Sequence, residues 1–143
     1  MPTRFTVAQG SETDAINAVA DLSNFVAGFT YTALTSNSPT LTTTQMLNGI
    51  VNVSGQTAAQ NVTTPTAAAI VAAIPNCQVG SSFELTLQNA NTSSGAVTVV
   101  AGTNVTLTGT TAVPISKSQI YRGIVTDATT PAVRLVGLLT APV

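Results

Sequence analysis

The side chains that could carry acid–base chemistry are few in this sequence and lie far apart along it. Its five acids are Glu12, Asp14, Asp21, Glu84 and Asp127. A pair of carboxylates can act as general acid and general base when both flank one reacting bond. Nothing in their spacing places two of these acids at a common site. We therefore interpret them as solvating and helix-capping residues.

Nucleophilic and metal chemistry also lack their usual residues. The chain has no His and one Cys, Cys77, so neither a serine nor a thiol has an imidazole base. Lys117 lies between Ser116 and Ser118, which is not the Ser-x-x-Lys arrangement of a serine acyl enzyme. No Gly-rich phosphate loop is present. We predict a non-enzymatic protein with no catalytic residue, cofactor, metal or small-molecule substrate, and we interpret Cys77 as a half-buried packing residue.

The low content of charged residues argues against several classes of binding partner. Lys and Arg total 4, Asp and Glu total 5, and charged residues make up 6% of the chain, against about 25% in an average domain. Four scattered cations form no basic patch for nucleic acid, and no basic amphipathic stretch or long apolar run predicts membrane contact. Because interface cores are depleted in charge, we expect much of the surface to be covered by identical subunits or a larger assembly. A neutral, Thr-rich extracellular domain is the alternative.

The composition predicts an all-β fold. The 143 residues suit one domain, and Thr (26), Ala (20) and Val (17) dominate the sequence. Thr and Val are β-branched and fit a pleated, half-buried surface. Short segments with strand character recur every 8 to 12 residues, which is typical of a β-sandwich or jelly roll. The predicted strands cover residues 49–55, 82–88, 96–101, 104–108, 112–116, 119–126 and 132–139.

Several details of these strands can be predicted. Phe83, Leu85 and Leu87 alternate and should share one buried face, with Glu84 facing outward. Pro114 indicates an edge or irregular strand. The last two strands should form a hairpin with a five-residue loop, residues 127–131. Residues 34–46 are either a linker or an edge strand. The echo between residues 97–99 and 105–107 has only two copies, too few for a solenoid.

One short helix is well delimited by its end signals. Thr64 can cap it, Pro65 suits its first position, and Pro75 ends it. An apolar stripe indicates that this helix packs on a sheet, and it consists of Ala67, Ile70, Val71 and Ile74.

The first part of the chain differs from the rest. We divide the sequence into an N-terminal arm or helical segment, residues 1–35, and a β-sandwich domain, residues 36–143. Residues 11–22 form either a helix capped by Ser11 or an extended arm. Phe25, Ala27, Phe29 and Tyr31 alternate with smaller residues, which slightly favours a first strand of the core over an arm. No export signal is apparent at the start of the sequence.

The second half resembles structural proteins of tailed bacteriophages. The similarity rests on TAAAIVAAIP at 66–75, VGSSFEL at 79–85, VTVVAGTNVTLTGT at 97–110 and TPAVRL at 130–135. Capsid decoration (cement) proteins and fibre-tip domains have this order of a short Ala-rich helix followed by Thr/Val strands joined by Gly turns. The similarity covers about half of the chain, residues 64–138.

The resemblance implies a function. A decoration protein is a β-sandwich or jelly-roll subunit, often a homotrimer, that binds the major capsid protein on the outer surface of the virion after synthesis in the host cytoplasm. Two alternatives are a tail-fibre domain that binds host glycans and a secreted adhesion module. The candidate capsid or subunit contacts are Arg4, Phe5, Phe25, Phe29, Tyr31, Arg122 and Arg134. Arg122 and Arg134 should also pair with Glu84 and Asp127, within a subunit or between subunits.

Overall fold

The computed structural model describes residues 29–93 and 95–138, which form two mixed β-sheets and two short helices. The predicted helix or arm at 11–22 and the residues Arg4, Phe5 and Phe25 lie outside this part of the chain. The strands are β1 (Thr30–Leu34), β2 (Gly49–Val53), β3 (Gln60–Thr63), β4 (Ser82–Asn89), β5 (Val97–Val100), β6 (Val105–Gly109), β7 (Ala112–Val113), β8 (Lys117–Asp127) and β9 (Ala132–Gly137). The helices are α1 (Thr43–Met46) and α2 (Ala67–Ala73).

The larger sheet has six strands in the order β1-β2-β4-β8-β9-β6, and the smaller has three in the order β3-β5-β7. The prediction of a mainly β domain is confirmed. The pairs β1–β2, β2–β4, β3–β5 and β6–β9 are parallel, whereas β4–β8, β8–β9 and β5–β7 are antiparallel. Jelly rolls belong to the antiparallel architectures, so the jelly-roll part of the prediction is not confirmed.

The parallel pairs β2–β4 and β3–β5 arise because the chain alternates between the two sheets. From β2 it passes to β3 in the small sheet, returns as β4 beside β2, and crosses again to β5 beside β3. Parallel neighbours need a crossover connection, and here the other sheet supplies part of it. The two echoing segments, 97–99 and 105–107, fall in β5 and β6, which belong to different sheets.

A single apolar core joins the inward faces of both sheets. Val51, Leu85 and Leu135 from the large sheet and Val62 and Val97 from the small sheet are fully buried in one cluster. Phe83, Leu85 and Leu87 are all buried, and Glu84 lies outward between them, as predicted. Alternation with a period of two is what a sheet with one covered face requires.

The remaining strand predictions agree with the structure to within a few residues. β7 has only two residues and lies at the edge of the small sheet, just before Pro114. The predicted hairpin of β8 and β9 forms, but Asp127 belongs to β8 and pairs with Ala132, so the loop is residues 128–131 and not 127–131. β3 was missed because it has four residues of which only Val62 is buried, a pattern too short to recognise. Residues 30–34, assigned above to the N-terminal segment, form β1 and pair with β2.

The two helices differ in two details from the sequence prediction. α2 is capped by Thr66, whose Oγ1 accepts from the Ala69 amide at 3.2 Å. Thr64, the predicted cap, is instead buried, and its Oγ1 accepts from the Gly102 amide at 2.8 Å. α1 lies within the segment predicted as a linker or edge strand. Its start is a capping box of Thr42 and Gln45, a signal that Thr-x-x-Gln already carries in the sequence.

Candidate functional site on the outer face of the large sheet

The outward side chains of the six-stranded sheet form a patterned surface across six neighbouring strands. We call this surface the outer face. Its register places Tyr31 beside Ile50, Ile50 beside Thr86, and Thr86 beside Ile120. The Leu138 amide donates to the Ile120 carbonyl at 3.0 Å, which extends the same line past β8. These residues therefore run straight across the sheet.

The line is mainly apolar and accessible. We call its four apolar residues, Tyr31, Ile50, Ile120 and Leu138, the apolar row. Thr86, which lies between Ile50 and Ile120, is the one polar residue of the line. Tyr31 is 61% exposed, Ile120 38% and Leu138 36%. With strands spaced by about 4.8 Å, the row is about 19 Å long. Isolated exposed hydrophobics are normal, but two neighbouring apolar pairs on one face, Tyr31 with Ile50 and Ile120 with Leu138, indicate a contact surface.

A charged area adjoins the apolar row. Arg122 and Glu84 are direct partners across β8 and β4, and their Nε and Oε2 atoms are 3.8 Å apart. This confirms the predicted cross-strand pairing for Arg122. Arg134 lies opposite Ile124, diagonal to Arg122 on the antiparallel pair β8–β9, at a separation of about 7–8 Å. We call Arg122 and Arg134 the basic corner.

Among the described residues, one acid, Glu84, lies next to the two arginines of the basic corner. Among residues 29–93 and 95–138, Arg134 forms no ion pair, and the predicted pairing with Asp127 is not observed. Asp127 instead closes the hairpin loop, because its Oδ1 accepts from the Thr129 amide at 2.8 Å and the Thr130 amide at 2.9 Å. Counted over the part of the chain that the structure describes, the corner carries two cations and one acid.

An open groove of ≈ 350 Å³ borders the basic corner. It exists because β4 begins before β2 does: Gly49 of β2 pairs with Leu85, so the start of β4 projects past its neighbour. The Asn48 side chain partly fills the gap, with Oδ1 accepting from the Glu84 amide at 3.2 Å. The lining residues are Phe29, Asn48, Ser82, Phe83, Glu84 and Arg122.

The structure brings together the predicted contact residues that it describes. Tyr31, Arg122 and Arg134 all lie on the outer face, and Phe29, 57% exposed, lines the groove beside it. Ile50, Ile120 and Leu138 were not among the contact residues predicted from the sequence. In β8 the inward residues include Gln119 and Gly123 whereas Ile120 and Ile124 point outward, so hydrophobicity alone assigns this strand to the wrong face.

The groups considered for catalysis do not converge. The acids Glu84 and Asp127 are far apart. Glu84 pairs with Arg122 of β8, and Asp127 lies five residues further along that strand, about 17 Å from Arg122. Lys117 begins β8 at the far end of the strand. Cys77 is half-buried against the core. Within the described residues, no group of three or more metal-binding side chains is clustered.

Comparisons with known proteins identify no family for this chain. No protein-family model matches the sequence, and no curated protein is significantly similar to it. Within residues 29–93 and 95–138, neither helix has the length and apolar character needed to span a bilayer.

Proposed function

We propose that this chain is a structural virion protein that binds the outside of a tailed-phage capsid and stabilises it. It acts as a homotrimer, and its partner is the major capsid protein. The observation that carries this proposal is the exposed apolar row, which runs about 19 Å across a sheet. A protein of this kind works through many weak contacts and needs no catalytic residue or cofactor.

The chemistry of the outer face suits protein contact. Interface cores are depleted in charge and enriched in aromatic residues, and the row combines Tyr31 with three aliphatic residues. Fully burying an aliphatic side chain that starts fully exposed contributes about 1.5–3 kcal/mol, and covering Ile120, which is 38% exposed, contributes roughly a third of that. Because the three chains of the proposed trimer are joined, three such modest contacts act together when the trimer binds the capsid.

We also propose a more specific fold for this protein. We propose that the two sheets constitute a β-sandwich, which is supported by the single core shared by Leu85 of the large sheet and Val97 of the small one. The capsid contact would then use the solvent side of the large sheet. The protein would be made in the host cytoplasm and reside on the virion surface.

Two substitutions of matched type test the apolar row. Ile120→Ser removes a residue of the row, whereas Ile115→Ser changes an isoleucine of equal exposure (40% against 38%) that lies outside every strand. We expect the native chain to have a solution mass of three times 14.4 kDa by light scattering, and to co-sediment with capsids of the phage that encodes it. Ile120→Ser should weaken co-sedimentation and Ile115→Ser should not. Equal binding by both variants would contradict the proposal.

One observation favours a second candidate, a tail-fibre domain that binds host glycans. Phe29 and Tyr31 are exposed aromatics next to a groove that also offers Asn48, Glu84 and Arg122. Sugar binding commonly combines an aromatic stacking surface with a few polar groups. Binding of host polysaccharide that is lost in Tyr31→Ala, without any capsid binding, would favour this candidate over the first.

A further inference from the structure

We propose that Asn48 is a deamidation site that the folded protein protects, and that its conversion to isoaspartate loosens β1 from β2. The sequence supplies the reactive pair, because Asn48–Gly49 is the one Asn-Gly dipeptide among the 143 residues. Asn is a thermolabile residue, and a following glycine has no side chain to obstruct attack by its own amide nitrogen. The site belongs to the isolated protein and does not depend on the proposed capsid function.

The reaction proceeds in two steps with water as its only other reactant. The Gly49 amide nitrogen attacks Cγ of Asn48, the Cγ–Nδ2 bond breaks, and the nitrogen's proton is lost as Nδ2 leaves as ammonia. The product is a five-membered succinimide, which water opens at either carbonyl. Opening at Cγ gives aspartate. Opening at the main-chain carbonyl gives isoaspartate, in which the main chain runs through Cβ and Cγ.

The sheet holds both reacting groups of this dipeptide. The Thr30 amide donates to the Asn48 carbonyl at 3.3 Å, so that carbonyl points towards β1. The Asn48 carbonyl and the Gly49 amide belong to one trans peptide group and point in opposite directions, so the Gly49 amide is directed towards β4. The Asn48 side chain is turned to the same strand, where its Oδ1 accepts from the Glu84 amide at 3.2 Å.

Attack on Cγ requires this peptide group to rotate. Its nitrogen must present the face of the peptide plane to Cγ, whereas the sheet directs the N–H edge towards β4. Rotation would break the hydrogen bond from the Thr30 amide to the Asn48 carbonyl. The deamidation of Asn48 therefore needs a local opening of the sheet at this point.

Packing around Gly49 adds a second restraint. Gly49 is buried, and a Cβ atom there would collide with the Gln45 carbonyl of α1. Asn48 has a φ of 53°, a left-handed conformation that Asn adopts more readily than most residues. The peptide group is thus enclosed by α1, β1 and β4, and only molecules that have opened here can react.

Isoaspartate does not fit the folded position. It adds one carbon to the main chain between the α-carbon of residue 48 and Gly49, directly before β2 begins to pair with β1 and β4. The Gln45 carbonyl leaves no room at Gly49 to absorb this length. The carbonyl before Gly49 then moves away from the Thr30 amide. We expect β1, which carries Tyr31, to be held less firmly.

Deamidation rates of the full-length protein test the protection. The protein is incubated at pH 8 with and without guanidinium chloride, and conversion at Asn48 is followed by chymotryptic mapping with mass spectrometry. A synthetic peptide of residues 45–51, treated in both solutions, corrects for the effect of the denaturant on the chemistry. Asn48 in the folded protein should react at least about tenfold more slowly than in the unfolded chain, because only locally open molecules react.

Two substitutions at Thr30 locate the protection. Thr30→Pro removes the amide that holds the Asn48 carbonyl, whereas Thr30→Ala keeps that amide and shortens an exposed side chain. In the folded state, Thr30→Pro should raise the deamidation rate at least about threefold. Thr30→Ala should stay within about twofold of the native rate. Circular dichroism shows whether each variant is folded.

Hydrogen exchange tests the effect on β1. Deamidated protein can be separated by ion exchange because it carries one more negative charge, and peptide mapping identifies the isoaspartate form. Residues 30–34 should exchange faster in this form than in the native protein, whereas residues 119–125 of β8 should be unchanged. Asn48→Asp has the same added charge and a normal main chain, so it should exchange like the native protein.

Three results would overturn the proposal. The first is a corrected rate at Asn48 that differs less than about twofold between folded and unfolded chains. The second is a folded Thr30→Pro variant that deamidates at the native rate. The third is native exchange of residues 30–34 in the isoaspartate form. If Thr30→Pro does not fold, the other two measurements still decide. None of these results bears on capsid binding by Ile120→Ser, so the two proposals fail independently.

Discussion

The aromatic ring of Phe83 lies directly over the α-carbon of Gly123, its partner across β4 and β8. A Cβ atom at position 123 would collide with ring atoms Cζ, Cε1 and Cε2. Glycine is thus required here by space, because the ring fills the volume that a side chain of β8 would otherwise occupy. Covering a strand glycine with a cross-strand aromatic residue is a known way to stabilise a sheet.

Gly123→Ala should lower the free energy of unfolding by about 1–3 kcal/mol, the usual range for overpacking. Urea denaturation measures the effect. Phe83→Leu in the same chain should recover part of the loss, because the smaller side chain leaves room for the methyl group. Strictly additive effects of the two substitutions would contradict the contact, since residues that touch show coupling energies.

The pH dependence of stability should reflect Tyr121. Burial raises the pKa of its phenol above the ordinary value of about 10, and its hydroxyl donates to the Thr111 carbonyl at 3.2 Å. Above pH 10 the unfolded chain loses this proton while the folded chain keeps it. The contribution of Tyr121 to stability should therefore be constant below about pH 10 and should fall above it by about 1.4 kcal/mol per pH unit until the folded protein also loses the proton.

Chemical denaturation between pH 8 and pH 11 measures this decrease. Tyr121→Phe should be slightly less stable at pH 8, by about 1 kcal/mol for the lost hydrogen bond, and should lack the decrease that Tyr121 causes. Tyr31→Phe keeps Tyr121 and should retain that decrease. Identical alkaline profiles for the native chain and Tyr121→Phe would exclude Tyr121 as the cause.

Asn89 should be the most sensitive polar residue of the core. It is fully buried, and its Nδ2 donates to the carbonyls of Gly95 at 3.2 Å and Val113 at 3.0 Å. Its Oδ1 accepts from the amide and the side chain of Asn91 at 3.2 and 2.9 Å. Asn89→Ala leaves these buried groups without partners and should cost about 2–4 kcal/mol.

The neighbouring Gln88 provides the control for this substitution, because it is exposed on the same strand. Gln88→Ala should change stability by less than about 0.5 kcal/mol. Thermal unfolding of both variants separates the buried network from strand propensity. A similar loss in both would contradict the assignment of the effect to hydrogen bonding.

The corrected helix cap can be tested at Thr66. Thr66→Ala removes the bond to the Ala69 amide and should cost about 1 kcal/mol. Thr66→Asp should preserve the cap and gain from the helix dipole, so its stability should equal or exceed that of the native chain. Denaturant midpoints measure both, and equal losses from Ala and Asp would argue against a capping role.

Removal of residues 1–20 tests the predicted contacts of the N-terminal arm. The described residues form an apolar core among themselves, which includes Val51, Leu85 and Leu135, so the shortened chain should still fold, as measured by circular dichroism. Because the deletion removes Arg4 and Phe5, we expect it to weaken capsid co-sedimentation. Unchanged binding by the folded, shortened protein would contradict a role of these two residues in the contact.

Much of the local structure could be predicted from the sequence. The alternation of Phe83, Leu85 and Leu87 correctly predicted a strand and its buried face, and Pro75 follows closely after the end of α2. These features depend on residues within a few positions of one another. Strand faces and helix ends of this kind can therefore be predicted from residue propensity, capping residues and apolar periodicity.

The strand order and the outer face were decided only by the tertiary structure. The parallel pairing of β2 with β4 depends on β3 and α2 lying between them in the chain, a long-range relationship without a local pattern. In β8 the large isoleucines point outward while Gln119 is buried, and its Nε2 donates to the Thr110 carbonyl at 2.7 Å. A buried amide is tolerated where a distant carbonyl accepts its hydrogen bond, and the position of that carbonyl is set by the fold as a whole.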